Sequence, residues 1–368
     1  MRLLVLTNIP TPNQNEFFAA LSGVCDLLVL YQAASEPDRK WQDQDPGSRY
    51  PHRVLPGARV LRDIHWNSGV RREIDRFRPD AMIISGTYLS PTFRVAAKRA
   101  RAKGIPWLAW SEPLQEWEGL KAPLLGPSRR LFLQATHVLA IGNRAKETFL
   151  ALGVPNSAVS IFPYVSDPKR FTVRTPRLND DNAPVRLVYC GSLIERKNVK
   201  MLLQAFAAAV LSSELTLTIF GVGPLQQSLE RLVATLGISE KVSFRGFIAP
   251  SGWPGQIATF DALVLPSLRD GWGLVIEEAL QSGVPVLASS RAGASDLVCD
   301  GVNGRIVQPE LGAWAGALRE VSDPRVMSAL QHGAVATRRP HALEAAVTQL
   351  MRIVESAVDS VDGIVMCP

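Results

Sequence analysis

The stretch "LPSLRDGWGLVIEEALQSGVPVLAS", Leu265 to Ser289, puts two carboxylates where folding alone has no need of them. Asp270 opens a tight "DGWG" loop, and Glu278 follows eight residues later inside the next helix. Gly271 and Gly273 leave backbone amides open to a ligand. With Trp272 and Leu274 they form the turn into a helix whose positive end favours phosphate. Asp270, at the loop mouth, can accept hydrogen bonds from sugar hydroxyls. Glu278, about one turn into the helix, can reach back to the paired hydroxyls of a ribose. Glu277 beside it is expected to face solvent. A purely structural reading makes Asp270 a helix N-cap and Glu278 a solvated helix residue. It treats each acid singly and leaves their combination with the glycine loop unexplained.

A second stretch carries the complementary charge. In "GSLIERKN", Gly191 to Asn198, a strand runs into a helix. Gly191 permits close backbone approach, Ser192 offers a hydroxyl, and Arg196 and Lys197 set two cations near a helix start. Together they suit a diphosphate; a strand–turn–helix with solvated basic residues is the plainer alternative. "IFGVGPL" has two glycines after a strand but lacks the third of the dinucleotide fingerprint, so a nicotinamide enzyme is poorly supported. In "VSFRGF", Gly246 and Phe247 close a strand, and their loop is placed to meet a base edge.

These residues need elements that bring loops together. The first half alternates apolar runs, "RLLVLTN", "DLLVLYQ", "DAMIISG", "IPWLAWS" and "HVLAIGN", with helical segments such as "NEFFAALSG", "VRREIDRF", "FRVAAKRARAKG" and "RAKETFLALG". A second alternation begins near Val185 with "VRLVYCG", "LTLTIFG", "KVSFRG", "ALVLPS" and "VPVLAS". Apolar runs of this length between helices predict parallel sheets covered on both faces. Two doubly wound α/β domains are therefore expected: residues 1–165, a linker at 166–184 marked by "VRTPRLNDDNAP", residues 185–338, and a C-terminal helix and tail at 339–368. Ligands of such sheets bind beyond the carboxyl ends of the strands, so two facing sheets would frame a cleft.

Composition removes several classes. At 368 residues and 46% hydrophobic, each half can bury a core. The four cysteines fit neither a disulfide ladder nor a zinc spacing, which points to a reducing, cytoplasmic setting. No stretch reaches the roughly 18 apolar residues of a spanning helix, and "MRLLVLTNIP" reads as a buried strand rather than a leader. The net charge is +6, and residues 1–165 carry all of the excess, with 21 Lys and Arg against 14 Asp and Glu. An anionic partner such as a phosphorylated lipid or the cytoplasmic membrane face fits that half, as does a merely solubilising surface. In "FRVAAKRARAKG", Arg94, Lys98 and Arg101 fall on one helical face. No interleaving of aromatic and basic residues supports a nucleic-acid partner.

The ordered set "GSLIERKN", "VSFRGF", "ALVLPS", "DGWGLVIEEAL" and "SGVPVLAS" resembles the retaining glycosyltransferases of family 4 (glycosyl transferases group 1), with "TNIPTP", "FRPDAMIISG" and "ATHVLAIGNRAKETFLALGV" as weaker matches. That family's mark is Glu, seven residues, Glu, across a Gly-aromatic-Gly loop. Asp270 falls on the first acid and Glu278 on the second, and "GSLIERKN" falls on the family's G-R-L-x-x-x-K-G. The resemblance implies a GT-B architecture, two Rossmann-like domains facing each other across a cleft. It implies a nucleotide-diphosphate sugar held mainly by the second domain, with UDP- and GDP-sugars the expected co-substrates, no metal and no resident cofactor, and a glycan, lipid-linked or small acceptor on the first domain.

The sequence departs from that pattern in four places. The first acid is Asp, one methylene shorter. Ser192 stands where the family often has Arg, which Arg196 can replace. The first loop, "NIPTPNQNE", lacks glycines; Asn13 lies on its acceptor side and with Glu16 fits a capping box. No His follows "IPWLAWSEP", where Glu112 stands instead. Glu112 either meets the transferring sugar or the acceptor's proton, or caps a turn before Pro113. His65, in "DIHWNSG", is the other candidate for the absent His, against a packing role beside Trp66. His137 is expected to be structural. Two further readings remain: a sugar-nucleotide epimerase on the same fold, and a non-catalytic nucleotide-sugar-binding relative of the transferases.

Overall fold

A computed structural model describes residues 1–36, 47, 49–61, 64–113, 126, 130–175 and 183–365, without the side chains of 61 and 361–365. The chain forms two compact units, Met1–Asp167 with Ala342–Pro368, and Pro168–His341. Part of the expected linker, 176–182, lies outside the described residues.

In unit 1 the strands β1 (Arg2–Thr7), β2 (Asp26–Tyr31), β3 (His52–Val54), β6 (Ala81–Ser85), β7 (Trp107–Ser111), β8 (His137–Ala140) and β9 (Val159–Ile161) form one parallel sheet. Its order is β3-β2-β1-β6-β7-β8-β9. Strands β4 (Ala58–Leu61) and β5 (Ile64–Trp66) make a separate antiparallel pair. The helices are α1 (Pro12–Ser22), α2 (Val70–Phe77), α3 (Pro91–Ala102) and α4 (Asn143–Leu152). Strands such as β6 and β7 are buried at every residue, the signature of a sheet covered on both faces. Phe93, Trp107, Phe132 and Phe149 fill one such layer.

Unit 2 has β10 (Val185–Cys190), β11 (Leu215–Phe220), β12 (Val242–Gly246), β13 (Ala262–Leu265), β14 (Val286–Ser289) and β15 (Gly304–Val307), all parallel, in the order β12-β11-β10-β13-β14-β15. Its helices are α5 (Val199–Ala209), α6 (Gln226–Thr235), α7 (Trp253–Ile257), α8 (Leu274–Gln281), α9 (Leu311–Val321) and α10 (Pro324–Ala336). The α/β expectation holds for every strand read from the sequence. The short strands β3, β9 and β15 extend the sheets beyond it.

The C-terminal helix α11 (Ala342–Val365) returns to unit 1, where it packs against α1 and β6. Leu343, Ala346, Val347, Leu350, Val354 and Ala357 form its buried stripe, spaced by three and four residues. Among the described residues no helix is long and apolar enough to cross a membrane.

Candidate functional site

In the order of unit 2 the chain runs outward from β10 to β11 on one side and to β13 on the other. The connections leaving β10 and β13 therefore diverge at their carboxyl ends, the place where open α/β sheets bind ligands. These are the two loops that the sequence singles out.

The β10 loop is held by buried groups. The Tyr189 hydroxyl donates to Ser192 O at 3.0 Å. Burial, with the charge of Asp270 adding to it, pushes that hydroxyl well above the ordinary tyrosine range, so it stays a donor. Leu193 N donates to Val222 O at 3.0 Å, and Leu225 N to Leu193 O at 3.2 Å. This close contact explains the glycine pair of "IFGVGPL": a Cβ on Gly221, at φ +148°, would lie 1.9 Å from Gly191 O. The pair lets two loops touch and forms no dinucleotide motif. A 3-10 turn over Glu195–Lys197 then ends at Asn198, whose positive φ of 56° starts α5.

The β13 loop lies directly on this one. Leu268 N donates to Arg196 O at 2.9 Å, and Arg196 Nη1 to Arg269 O at 3.3 Å. Asp270 is the centre of the contact. Its carboxylate takes the Lys197 ammonium on Oδ2 and faces Arg196 Nη1 at 3.4 Å on Oδ1. Ser267 Oγ approaches Oδ2 at 3.4 Å. The Lys197 and Asp270 side chains are only 11% and 10% exposed, whereas Arg196 is 52% exposed. The pair is thus inside the loops and Arg196 is at their mouth. Asp270 is no helix cap: α8 begins after Gly273, which takes the N-cap place at φ 89° with no side-chain cap. The start of α8 leaves its first amides to other partners.

Glu278 is half-buried in the middle of α8. Burial pushes the Cys190 thiol up, the charge of Glu278 adds to this, and Lys197 opposes it. Glu278 and Lys197 are thereby both felt at the end of β10. Glu277 corrects the expectation: it is the buried acid, accepting from Gln281 Nε2 at 3.2 Å. Helix α8 buries Ile276, Glu277, Ala279, Leu280 and Gln281, so little of its circumference meets water. Trp272 is buried as well, which leaves its backbone as the part that borders the loop; its carbonyl accepts from Ala294 N at 2.6 Å. Gly246 has φ +67° at the end of β12, and Phe247 beyond it is exposed on the same sheet edge. Ser192 is exposed and Gly191 half-buried. Among the described residues no group of three or more His, Cys, Asp or Glu is placed to hold a metal ion.

In unit 1, Glu112 is exposed at the carboxyl end of β7, and Ser111 Oγ donates to its carbonyl at 3.0 Å. Asn13 sits inside α1, whose N-cap is Thr11 with Pro12 at the first position. The capping box is therefore not formed: proline starts the helix two residues early, and Glu16 instead accepts from Asp167 N at 3.2 Å. Asn13 is buried and takes Thr11 Oγ1 at 3.0 Å. His65 is buried on β5, so its ring is not offered to a ligand as the acceptor-side expectation requires. His137, at the amino end of β8, pairs with Ser160 Oγ at 2.9 Å. The basic face of α3 is partial. Arg94 is half-buried, Arg101 is engaged by Gln134 at 2.7 Å, and Lys98 is exposed. Sequence reasoning missed Tyr189, Ser267 and Asn198; "YCG", "LPS" and "KN" beside the two loops were their only signal.

Residues 184–323, which hold both loops, match the family model described as glycosyl transferases group 1. The chain is similar to a GDP-mannose-dependent alpha-(1-6)-phosphatidylinositol monomannoside mannosyltransferase of Mycolicibacterium smegmatis, 28% identical over 55% of this chain and 57% of that protein. It is also similar to a 2-deoxystreptamine glucosyltransferase of Streptomyces kanamyceticus, 26% identical over 61% of each. The chain thus spans less than two thirds of the length of these curated relatives. Among solved structures, HepE of Anabaena in complex with UDP superposes with a TM-score of 0.77 over 97% of this chain and 100% of that one, at 18% identity. The fold is GT-B, two Rossmann-like α/β units.

Proposed function

We propose that the protein is a retaining, metal-independent glycosyltransferase of family 4 that takes its sugar from a nucleotide diphosphate. The observation that carries this reading is the joining of the β10 and β13 loops through Lys197, Arg196 and Asp270, with Glu278 on the adjoining helix. A group 1 glycosyltransferase match over those same residues supports it. Arg196 and Lys197 hold the diphosphate, together with the amides of Gly271 to Leu274 at the start of α8. Glu278 takes the ribose hydroxyls, and the Gly246–Phe247 loop faces the base. When the diphosphate arrives, the Lys197 ammonium exchanges a carboxylate for a phosphate. Asp270 is then released to accept from the sugar hydroxyls.

The bond from the anomeric carbon to the phosphate oxygen breaks, and the electron pair leaves with the nucleotide diphosphate. The two cations stabilise that growing charge. An acceptor hydroxyl attacks from the same face, and its proton passes to the departing phosphate oxygen. The names of the relatives favour GDP- or UDP-linked sugars, and acceptors built on inositol lipid or aminocyclitol alcohols. The setting is the cytoplasm, at or near its membrane face.

A donor screen tests the proposal. The protein is mixed with UDP-, GDP- and ADP-sugars without added metal, and thermal shift and slow release of nucleotide diphosphate are followed. One donor that stabilises the protein and is slowly hydrolysed, with both effects lost in Asp270→Ala and Glu278→Ala, is the expected result. Binding without hydrolysis assigns a non-catalytic sugar-nucleotide binder, and no binding by any donor overturns the site.

A further inference from the structure

At the turn of the β10 loop the main chain holds a donor open. Gly191 N donates to Phe220 O at 3.0 Å, and Leu193 N to Val222 O at 3.0 Å. Between them Ser192 N, like Ser192 Oγ, makes no hydrogen bond among the described residues, and Ser192 is exposed. The preceding peptide gives that N–H its direction. A Cβ on Gly221 would lie 1.9 Å from Gly191 O but 3.0 Å from Gly191 C, so the Gly191 carbonyl points at Gly221, in the loop after β11. The peptide is trans, and in a planar trans peptide the N–H and C=O point opposite ways. The Ser192 N–H therefore points away from the β11 loop. On the other side of β10 lies β13, whose loop carries Asp270.

The following peptide is locked at both of its polar groups. Ser192 O accepts from the Tyr189 hydroxyl at 3.0 Å, while the N–H of Leu193 is the one given to Val222. The turn cannot rotate its open donor inward without breaking one of these bonds. Tyr189 is fully buried, and a Cβ on Gly191 would lie 2.9 Å from its Oη, so a side chain at 191 would crowd the hydroxyl. Burial pushes that hydroxyl up, the charge of Asp270 adds to this and that of Arg196 opposes it. The turn thus lies within electrostatic reach of an acid and a cation of the candidate site. An unpaired N–H is tolerated in a fold where water or a ligand takes it.

We propose that the Ser192 N–H donates to the phosphate next to the transferred sugar, and that Tyr189 is the positioning residue that aims it. The inference rests on the reading of the β10 and β13 loops as the diphosphate site. The phosphate concerned is the one beside the sugar, because the charge of Asp270, assigned to the sugar, reaches the Tyr189 hydroxyl. Arg196 and Lys197 supply charge on long side chains. The Ser192 N–H adds a donor whose direction is set by the sheet, ready before the leaving group gains its charge.

The test compares the binding of UDP with UMP, and of GDP with GMP, by calorimetry on the full chain. Ser192→Ala is the reference, and lactic acid placed at position 192 differs from it only by an ester oxygen in place of the N–H. The ester is expected to weaken the diphosphate about tenfold or more, as for a lost hydrogen bond to a charged group, and to leave the monophosphate unchanged. Tyr189→Phe keeps the ring and is expected to weaken the diphosphate roughly threefold, again sparing the monophosphate. A tyrosine that only stabilises the fold would change both nucleotides alike. Should Tyr189→Phe unfold in a thermal scan, the ester decides alone. Equal binding by ester and reference, or equal losses for diphosphate and monophosphate, overturns the proposal and leaves the reading of the two loops standing. No nucleotide binding by the unaltered chain overturns both.

Discussion

Asp261→Ala should be among the most damaging single changes in unit 2, although Asp261 touches no ligand-facing loop. Asp261 ends the approach to β13, and its side chain is 1% exposed. Oδ1 takes the Arg174 guanidinium, and Oδ2 accepts from Arg186 N at 2.8 Å and Nε at 3.1 Å. Arg174, 4% exposed, also donates to Ala258 O at 3.2 Å and to Phe260 O, and its backbone N donates to Ser282 O at 2.8 Å. The clamp thus fixes the chain entering unit 2 to the far end of α8, the helix whose start borders the candidate site. Removing the carboxylate leaves a buried guanidinium without its counter-charge, which costs about 3–5 kcal/mol. For a unit of this size that lowers Tm by roughly 6–20 °C. Arg186 is 41% exposed, so Arg186→Ala should cost less than about 1 kcal/mol. Asp261→Leu combined with Arg174→Met should return close to the parent stability, since an apolar pair needs no desolvated charge. Urea unfolding followed by far-UV circular dichroism, with calorimetry to separate the two units, measures all three. If Asp261→Ala costs under about 1 kcal/mol, or no more than Arg186→Ala, the buried pair is not what holds this segment.

Other outcomes follow from single contacts. Gly221→Ala puts a Cβ 1.9 Å from Gly191 O; strain of about 1–3 kcal/mol and weakened donor binding are expected in thermal shift. Gly273→Ala meets Leu265 Cδ2 at 3.2 Å and touches the Asp270 carboxylate at 3.6 Å, at a φ of +89°, so its strain should fall at the lower end of that range. Cys190 should resist iodoacetamide at pH 8 while Cys299, exposed, reacts; Glu278→Gln removes a charge that raises the Cys190 thiol and should speed its alkylation. Burial lowers His137 below its ordinary 6.5, so the unfolded chain takes up the proton first. That contribution to stability is complete above pH 6.5 and is lost as pH falls below it through the lower folded-state value; His137→Gln should flatten the decline in urea midpoints between pH 7 and 5.

Much of the fold was legible because parallel strands buried on both faces write themselves as unbroken apolar runs, as in "AMIIS" and "ALVL". The three- and four-residue strands β3, β9 and β15 are too short to carry any period. The stripe of α11 announced a buried face without saying which unit it covers. Of the two adjacent acids, Glu277 was expected in solvent and is buried. Helix α8 is enclosed on most sides, so the apolar pattern had no wet face from which to tell Glu277 from Glu278. The pairing of Lys197 with Asp270, and that of Arg174 with Asp261, join residues far apart in the chain. Spacing cannot encode them; only the sheet order brings them together.

That order also explains why the site residues act as a unit. Leu193 is bonded to the loop after β11, and Arg196 to the loop after β13, so the β10 loop is supported from both sides. Lys197 is carried on this shared piece with its ammonium on the carboxylate of Asp270, and its charge opposes that of Glu278 in acting on the Cys190 thiol. A carboxylate only 10% exposed is costly to bury without such a paired cation. In the proposed reaction Arg196, at the mouth of the loops, meets the phosphate first, and Lys197 follows by exchanging one anion for another. The acid that exchange frees is Asp270, the first of the pair with which the chemistry of this sequence begins.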